Sequence, residues 1–153
     1  LGNAGYEHYE ISNFCRPGMY SRHNTSYWKG IPYLGCGPSA HSFNTDTREW
    51  NISSLEDYIH SIENNHRRFE NEYLDRTTRY NECIMTSIRT KRGLSLNDLE
   101  REFGKELWQY CMNMARPHLD SGKLEIRDSH LCLTRKGIFV SDSIMSDLMF
   151  IED

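Results

Sequence analysis

The chain has no apolar run longer than a few residues, no excess of charge of one sign and no close grouping of cysteines. Without a long apolar run, neither a membrane-spanning helix nor a secretory signal can be read from its 153 residues. The cysteines stand at 15, 36, 83, 111 and 132, odd in number and widely spaced. That pattern argues against a disulfide framework or a zinc ribbon and leads us to expect reduced thiols, a cytoplasmic protein and no structural metal. Net charge is −4, with 18 basic against 22 acidic residues, so nothing draws the whole chain to nucleic acid or anionic lipid. Residues 1–74 carry six Lys or Arg against nine Asp or Glu, and residues 75–153 carry twelve against thirteen. Neither half is a basic module. Repeats and low-complexity tracts are also missing.

What is present is ordinary globular composition, 37% hydrophobic and 26% charged, enough for one core or two small ones. Chemistry-bearing residues crowd between Tyr6 and Phe43. Residues 8–12 alternate as a strand does, and Pro17-Gly18 turns the chain into a loop over Met19 to Lys29. Residues 32–36 read as a second strand opening into a glycine turn, and His41–Asn44 and Arg48–Ile52 as short extended pieces. Ser53 or Ser54 caps a helix through Leu55, Tyr58, Ile59 and Ile62, which Asn64-Asn65 ends. The polar span 63–74 is expected to be a linker.

The second half, 75–153, reads as mainly helical. A helix from Thr77 or Thr78 runs through Ile84 and Ile88 towards Gly93; a short helix from Leu94 ends at Gly104. A longer one passes Trp108, Met112 and Met114, expected core residues, and closes at Gly122. Lys123 to Leu133 alternate as a hairpin turning at Asp128-Ser129, and Thr134 caps a final helix. This order is the layout of a winged helix. As a nucleic-acid reader the longer helix is poorly equipped, since it offers Lys105 and Arg116 against Glu106 and Asp120.

Two constellations could carry chemistry. His23 offers an imidazole lone pair to a metal or haem iron, Tyr27 and Trp28 offer flat rings to a porphyrin face, and Arg22 offers a guanidinium to a propionate. The same residues, with Asn24, would also make a hydrogen-bonded loop of purely structural character. The second is Gly35 to Ser42, where small residues after a strand let backbone approach a ligand closely, although such turns usually only reverse the chain. Cys36, between two glycines, has no base placed beside it and is expected to be a buried small thiol. His60, His66, His118 and His130 are expected to be surface or structural residues.

The words YEISNF, RPG, SRHNTSYW and YLGCGPSAHSF resemble the oxygen-independent coproporphyrinogen III oxidase family of radical-SAM proteins, in its haem-chaperone branch. That branch's His-Asn-x-x-Tyr-Trp signature stands here as His23, Asn24, Tyr27 and Trp28. The resemblance implies an α+β fold: a remnant of the last radical-SAM barrel strands over 1–62, a linker at 63–74 and a winged-helix-like domain over 75–153. It also implies haem bound through His23 at the iron, with Arg22, Asn24, Tyr27 and Trp28 around it, and haem passed to a recipient protein. S-adenosylmethionine is expected against the backbone of Ala40 and His41. The family's 4Fe-4S cluster hangs on a CxxxCxxC motif that this sequence lacks. With the opening at Leu1, that leads us to expect a fragment of a longer protein, inactive in radical chemistry on its own. Orphaned strands 8–12 and 32–36 should then pair with each other, associate between copies or be poorly ordered. The alternatives are a true coproporphyrinogen III oxidase, decarboxylating propionates to vinyls, and a winged-helix nucleic-acid-binding module.

Overall fold

The protein is described by a computed structural model covering residues 1–152. It is an α+β chain made of two compact units, one formed by residues 1–25 with 76–153 and the other by 26–75.

In the larger unit a single 3-10 turn, Gly2–Ala4, leads into a hairpin, β1 (Glu7–Glu10) with β2 (Asn13–Cys15), antiparallel with Glu7 opposite Cys15. The strand read at 8–12 therefore finds its neighbour three residues on. It does not pair with 32–36, because Ile11-Ser12 folds back tightly under the Glu10 carboxylate, which accepts from Ser12 and Asn13. In 32–36 there is no strand, only a bridge from Tyr33 to Phe43.

Helix α1 (Arg22–Trp28) follows, its first four residues in this unit and its last three in the smaller one. A loop was expected across Met19 to Lys29, and the structure corrects this for physical reasons that are local. Ser21 Oγ accepts from the Asn24 amide at 3.2 Å, no glycine or proline interrupts 22–28, and Gly30 turns the chain out at φ 60°.

The rest of this unit is α3 (Arg76–Ile88), β6 (Leu94–Ser95), α4 (Leu96–Asp120), β7 (Leu124–Arg127), β8 (His130–Leu133), α5 (Arg135–Ile138) and α6 (Ser141–Leu148), with strand order β6-β8-β7. Periodicity puts Tyr80, Ile84 and Ile88 of α3 on one face, four residues apart, and all three are fully buried. Leu99, Phe103, Leu107, Cys111 and Ala115 of α4 meet them, with Leu124, Leu131, Ile144 and Leu148 closing the core. Burying each large aliphatic side chain stabilises by about 1.5–3 kcal/mol. Gly104, at φ 75° and ψ 170°, breaks α4 where the short helix was expected to end, and the Arg76 guanidinium donates to the Phe103 carbonyl freed by the break. Trp108 and Met112 pack on the core half-buried, whereas Met114 is exposed. The final helix is two helices, interrupted at the exposed pair Phe139 and Val140.

The smaller unit is a meander, β3 (His41–Phe43), β4 (Thr47–Asn51) and β5 (Phe69–Tyr73), with α2 (Leu55–Glu63) between the last two. Ser54 caps α2, accepting from the Asp57 amide at 3.2 Å, and Asn64 ends it. The span 63–74, read as a linker, holds β5, which pairs with β4 from Tyr73 opposite Thr47 to Phe69 opposite Asn51. The pairing is reinforced by Arg48 with Glu72 (3.2 Å) and by Trp50 Nε1 donating to Glu70 (3.0 Å). Helix α2 buries Ser61 and leaves Leu55, Ile59 and Ile62 exposed.

Candidate functional site

Helix α1 gathers the signature residues on one short element. At about 100° per residue, His23, Asn24, Tyr27 and Trp28 span an arc of about 140°, with His23 beside Tyr27 and Asn24 beside Trp28. Arg22 lies about 100° from His23, beyond one edge of that arc. Arg22, His23 and Tyr27 are exposed, while Asn24 and Trp28 are half-buried. A planar ligand could therefore approach His23 and Tyr27 from solvent. The Tyr27 ring is held edge-on against Tyr33 at 4.8 Å, and Tyr33 in turn lies 6.1 Å from Phe43. On the helix His23 and Tyr27 stand about one turn apart in sequence.

The start of α1 is tied down in the larger unit. The Ser21 amide donates to the Tyr9 hydroxyl at 3.4 Å, Tyr9 and Tyr20 meet edge-on at 5.3 Å, and the Tyr20 hydroxyl donates to Glu7 at 2.7 Å. That last bond and burial raise the Tyr20 phenol above its ordinary pKa, so it stays a neutral donor.

Ala40 and His41 belong to a separate element, the turn entering β3. Its smallness has an internal cause: a Cβ on Gly35 would fall 2.1 Å from the His41 carbonyl oxygen. Asn51, 3% exposed, donates its side-chain amide to the Gly35 and Gly37 carbonyls at 3.2 and 2.9 Å. Ala40 uses both backbone groups inside the turn, its amide donating to Gly37 (3.2 Å) and its carbonyl accepting from Asn51 (3.0 Å). A nucleoside here would meet Ala40 through van der Waals contact and the exposed His41, which lies 5.8 Å from Trp50. Cys36 is exposed, not buried as expected, because the turn carries it outward between two glycines.

Among the described residues no three His, Cys, Asp or Glu side chains converge as a metal site, so the residues present do not fit an iron-sulfur cluster. Burial raises the Cys111 thiol to about 11 and also raises Cys83, leaving both protonated and inert. His118 is bonded to Asp147 at 2.9 Å and His130 Nδ1 meets the Asp128 carbonyl at 2.8 Å. Sequence reading missed Glu10, whose buried carboxylate organises the hairpin before α1; the spacing Glu-x-Ser-Asn, typical of side-chain-to-backbone turns, was the available signal.

The helical unit with its three-stranded sheet matches a known C-terminal domain. Residues 74–140 match the family model described as the HemN C-terminal domain. The heme chaperone HemW of Mycobacterium tuberculosis is 31% identical over 153 residues, an alignment covering 97% of this chain and 36% of that protein. HemW of Bacillus subtilis is 26% identical over 141 residues, covering 92% and 37% respectively. The solved structure of coproporphyrinogen III oxidase (HemN) from Escherichia coli, a radical SAM enzyme, superposes with a TM-score of 0.71 at 17% identity, over 97% of this chain and 38% of that one, and so shares its fold. The chain belongs to the oxygen-independent coproporphyrinogen III oxidase family, in its HemW-like branch. It spans little more than a third of the length of the curated relatives it matches. No helix among the described residues is long and apolar enough to cross a membrane.

Proposed function

We propose that α1 is the haem-docking segment of a haem chaperone, with haem as cargo rather than resident cofactor. His23 supplies the axial imidazole, Tyr27 and Trp28 lie against the macrocycle, Asn24 supports the same face, and Arg22 reaches a propionate from its edge. The observation that carries this reading is the exposure of His23 and Tyr27 one turn apart on a helix whose first turn is capped by Ser21. Haem then passes to a recipient protein in the cytoplasm. Along the chain, 1–62 corresponds to the end of a radical-SAM barrel and 75–153 is a winged-helix-like C-terminal domain; the family match beginning at residue 74 supports where that domain starts. In the whole protein S-adenosylmethionine lies against Ala40 and His41, and the 4Fe-4S cluster is held by residues outside this chain.

The charge balance of the second half of α4 and the exposed Met114 on it speak against nucleic acid as partner. Chaperone and coproporphyrinogen III oxidase separate in one experiment on the whole protein, reconstituted anaerobically with S-adenosylmethionine. Transfer of bound haem to an apo-haemoprotein without porphyrinogen turnover is the expected result, and stoichiometric conversion of coproporphyrinogen III would replace this reading by the oxidase. Tyr27→Leu with Trp28→Leu should weaken haem binding while leaving the ligand-field spectrum unchanged, since stacking area is lost and the iron bond is kept.

A further inference from the structure

One buried acid holds the hairpin in front of α1. Glu10 is 2% exposed, and its Oε2 accepts from the Ser12 amide (3.0 Å), the Ser12 hydroxyl (3.0 Å) and the Asn13 side-chain amide (2.5 Å). Those donors belong to the turn itself. The other oxygen, Oε1, accepts from Arg89 Nε at 2.9 Å, 79 residues further along and just beyond the end of α3. The backbone repeats the join: the Ile11 amide donates to the Arg89 carbonyl at 3.1 Å and the Lys91 amide to the Tyr9 carbonyl at 2.9 Å. Strand β1 thus has β2 on one side and residues 89–91 on the other.

From β1 the connection reaches α1 through Tyr9, whose hydroxyl accepts from Ser21, the residue that caps the helix. The Ser21 carbonyl also accepts from the Thr25 hydroxyl at 2.6 Å. A seven-residue helix cannot persist by its own hydrogen bonds, so it sits where its first turn is tied. His23 is two residues from that tie.

We infer that the Glu10–Arg89 pair is the positioning element for α1, setting His23 from a residue at the end of α3. This rests on the haem reading of α1, and it assigns Glu10 and Arg89 a role although neither touches the cargo. A buried carboxylate stripped of its guanidinium is poorly compensated, so loss of Arg89 loosens the hairpin, which meets the helical core through Ile11, before it loosens that core.

The test uses the chain itself, with haem titration and amide hydrogen exchange measured separately for Arg89→Ala, Arg89→Lys, Glu10→Gln and, as a surface control, Arg101→Ala. In Arg89→Ala exchange should speed up at Asn24 and Thr25 while Ile84 and Leu107 keep their protection. Haem affinity should fall about tenfold, as for residues that orient a metal ligand, with Arg89→Lys recovering part of it. Arg101→Ala should change neither. Unchanged exchange at Asn24 and Thr25, or faster exchange with full haem affinity in a chain where His23→Ala abolishes binding, would overturn the inference. Should Arg89→Ala unfold the core, Arg89→Lys and Glu10→Gln are read by the same criteria. If His23→Ala binds haem normally, the haem reading is what fails, and the exchange at Asn24 and Thr25 alone decides whether the pair places α1.

Discussion

Replacing Tyr80 by phenylalanine removes one oxygen from the centre of the larger unit and tests what holds α3 to the end of α6. Tyr80 has no exposed surface; its hydroxyl donates to the Leu148 carbonyl at 3.0 Å and its ring stands edge-on to Phe103 at 5.7 Å. Burial pushes the phenol far above its ordinary pKa of 10, so the group is a neutral donor at every working pH. Tyr80→Phe keeps the ring and strands the Leu148 carbonyl, a loss of about 1–3 kcal/mol. Tyr80→Ala also opens a cavity and gives up the edge contact with Phe103, for a loss of about 3–5 kcal/mol. Urea unfolding followed by circular dichroism reads both, and Tyr80→Phe should lower the midpoint without changing the slope. A Tyr80→Phe variant within about 0.5 kcal/mol of the parent would refute the reasoning, since it would mean the Leu148 carbonyl is equally satisfied without the phenol.

Burial alone would raise the Glu10 carboxyl, but hydrogen bonds from Asn13, Ser12 and Arg89 outweigh it and hold the group below its ordinary 4.5. A depressed folded pKa stabilises fully above the unfolded value and is lost as pH falls through the folded one, so on acidification below the ordinary 4.5 the amide protection factors in β1 should fall, and Glu10→Gln should flatten that pH dependence. Gly93→Ala meets both a φ of 78° and a Cβ only 2.4 Å from the Leu131 carbonyl oxygen and 2.6 Å from Cys132 Sγ. Its cost should reach about 2–4 kcal/mol in urea unfolding, against about 1–2 for Gly18→Ala, where the left-handed backbone is the only penalty.

Much of the fold was legible where periodicity and caps agree. Ser54 and Asn64 bound α2, Gly104 breaks α4 and Asp128-Ser129 turns the β7–β8 hairpin, each a local preference that packing reinforces. Where burial gave no pattern, reading failed. Strand β5 is exposed along its whole length, so Phe69 to Tyr73 carry no alternation of inside and outside, and only pairing with β4 makes them a strand. Helix α1 buries none of its residues fully and its capping signal is one serine, so its seven aromatic and polar residues looked like a loop. The hairpin at β1 closes on its neighbour through Glu10 and on Arg89 far along the chain, a contact that sequence periodicity cannot express. For the candidate site, the signature residues were legible as a motif, but their common face and the tie at Ser21 come only from the fold.

The haem reading stands or falls on His23. Titrating haem into the whole protein and into its His23→Ala variant, with His118→Ala and His130→Ala as controls, measures the axial bond directly through the Soret band. Loss of the Soret shift and of most of the affinity in His23→Ala alone is the result predicted; an unchanged spectrum and affinity in that variant would contradict it and leave His23, Asn24, Tyr27 and Trp28 as a structural helix.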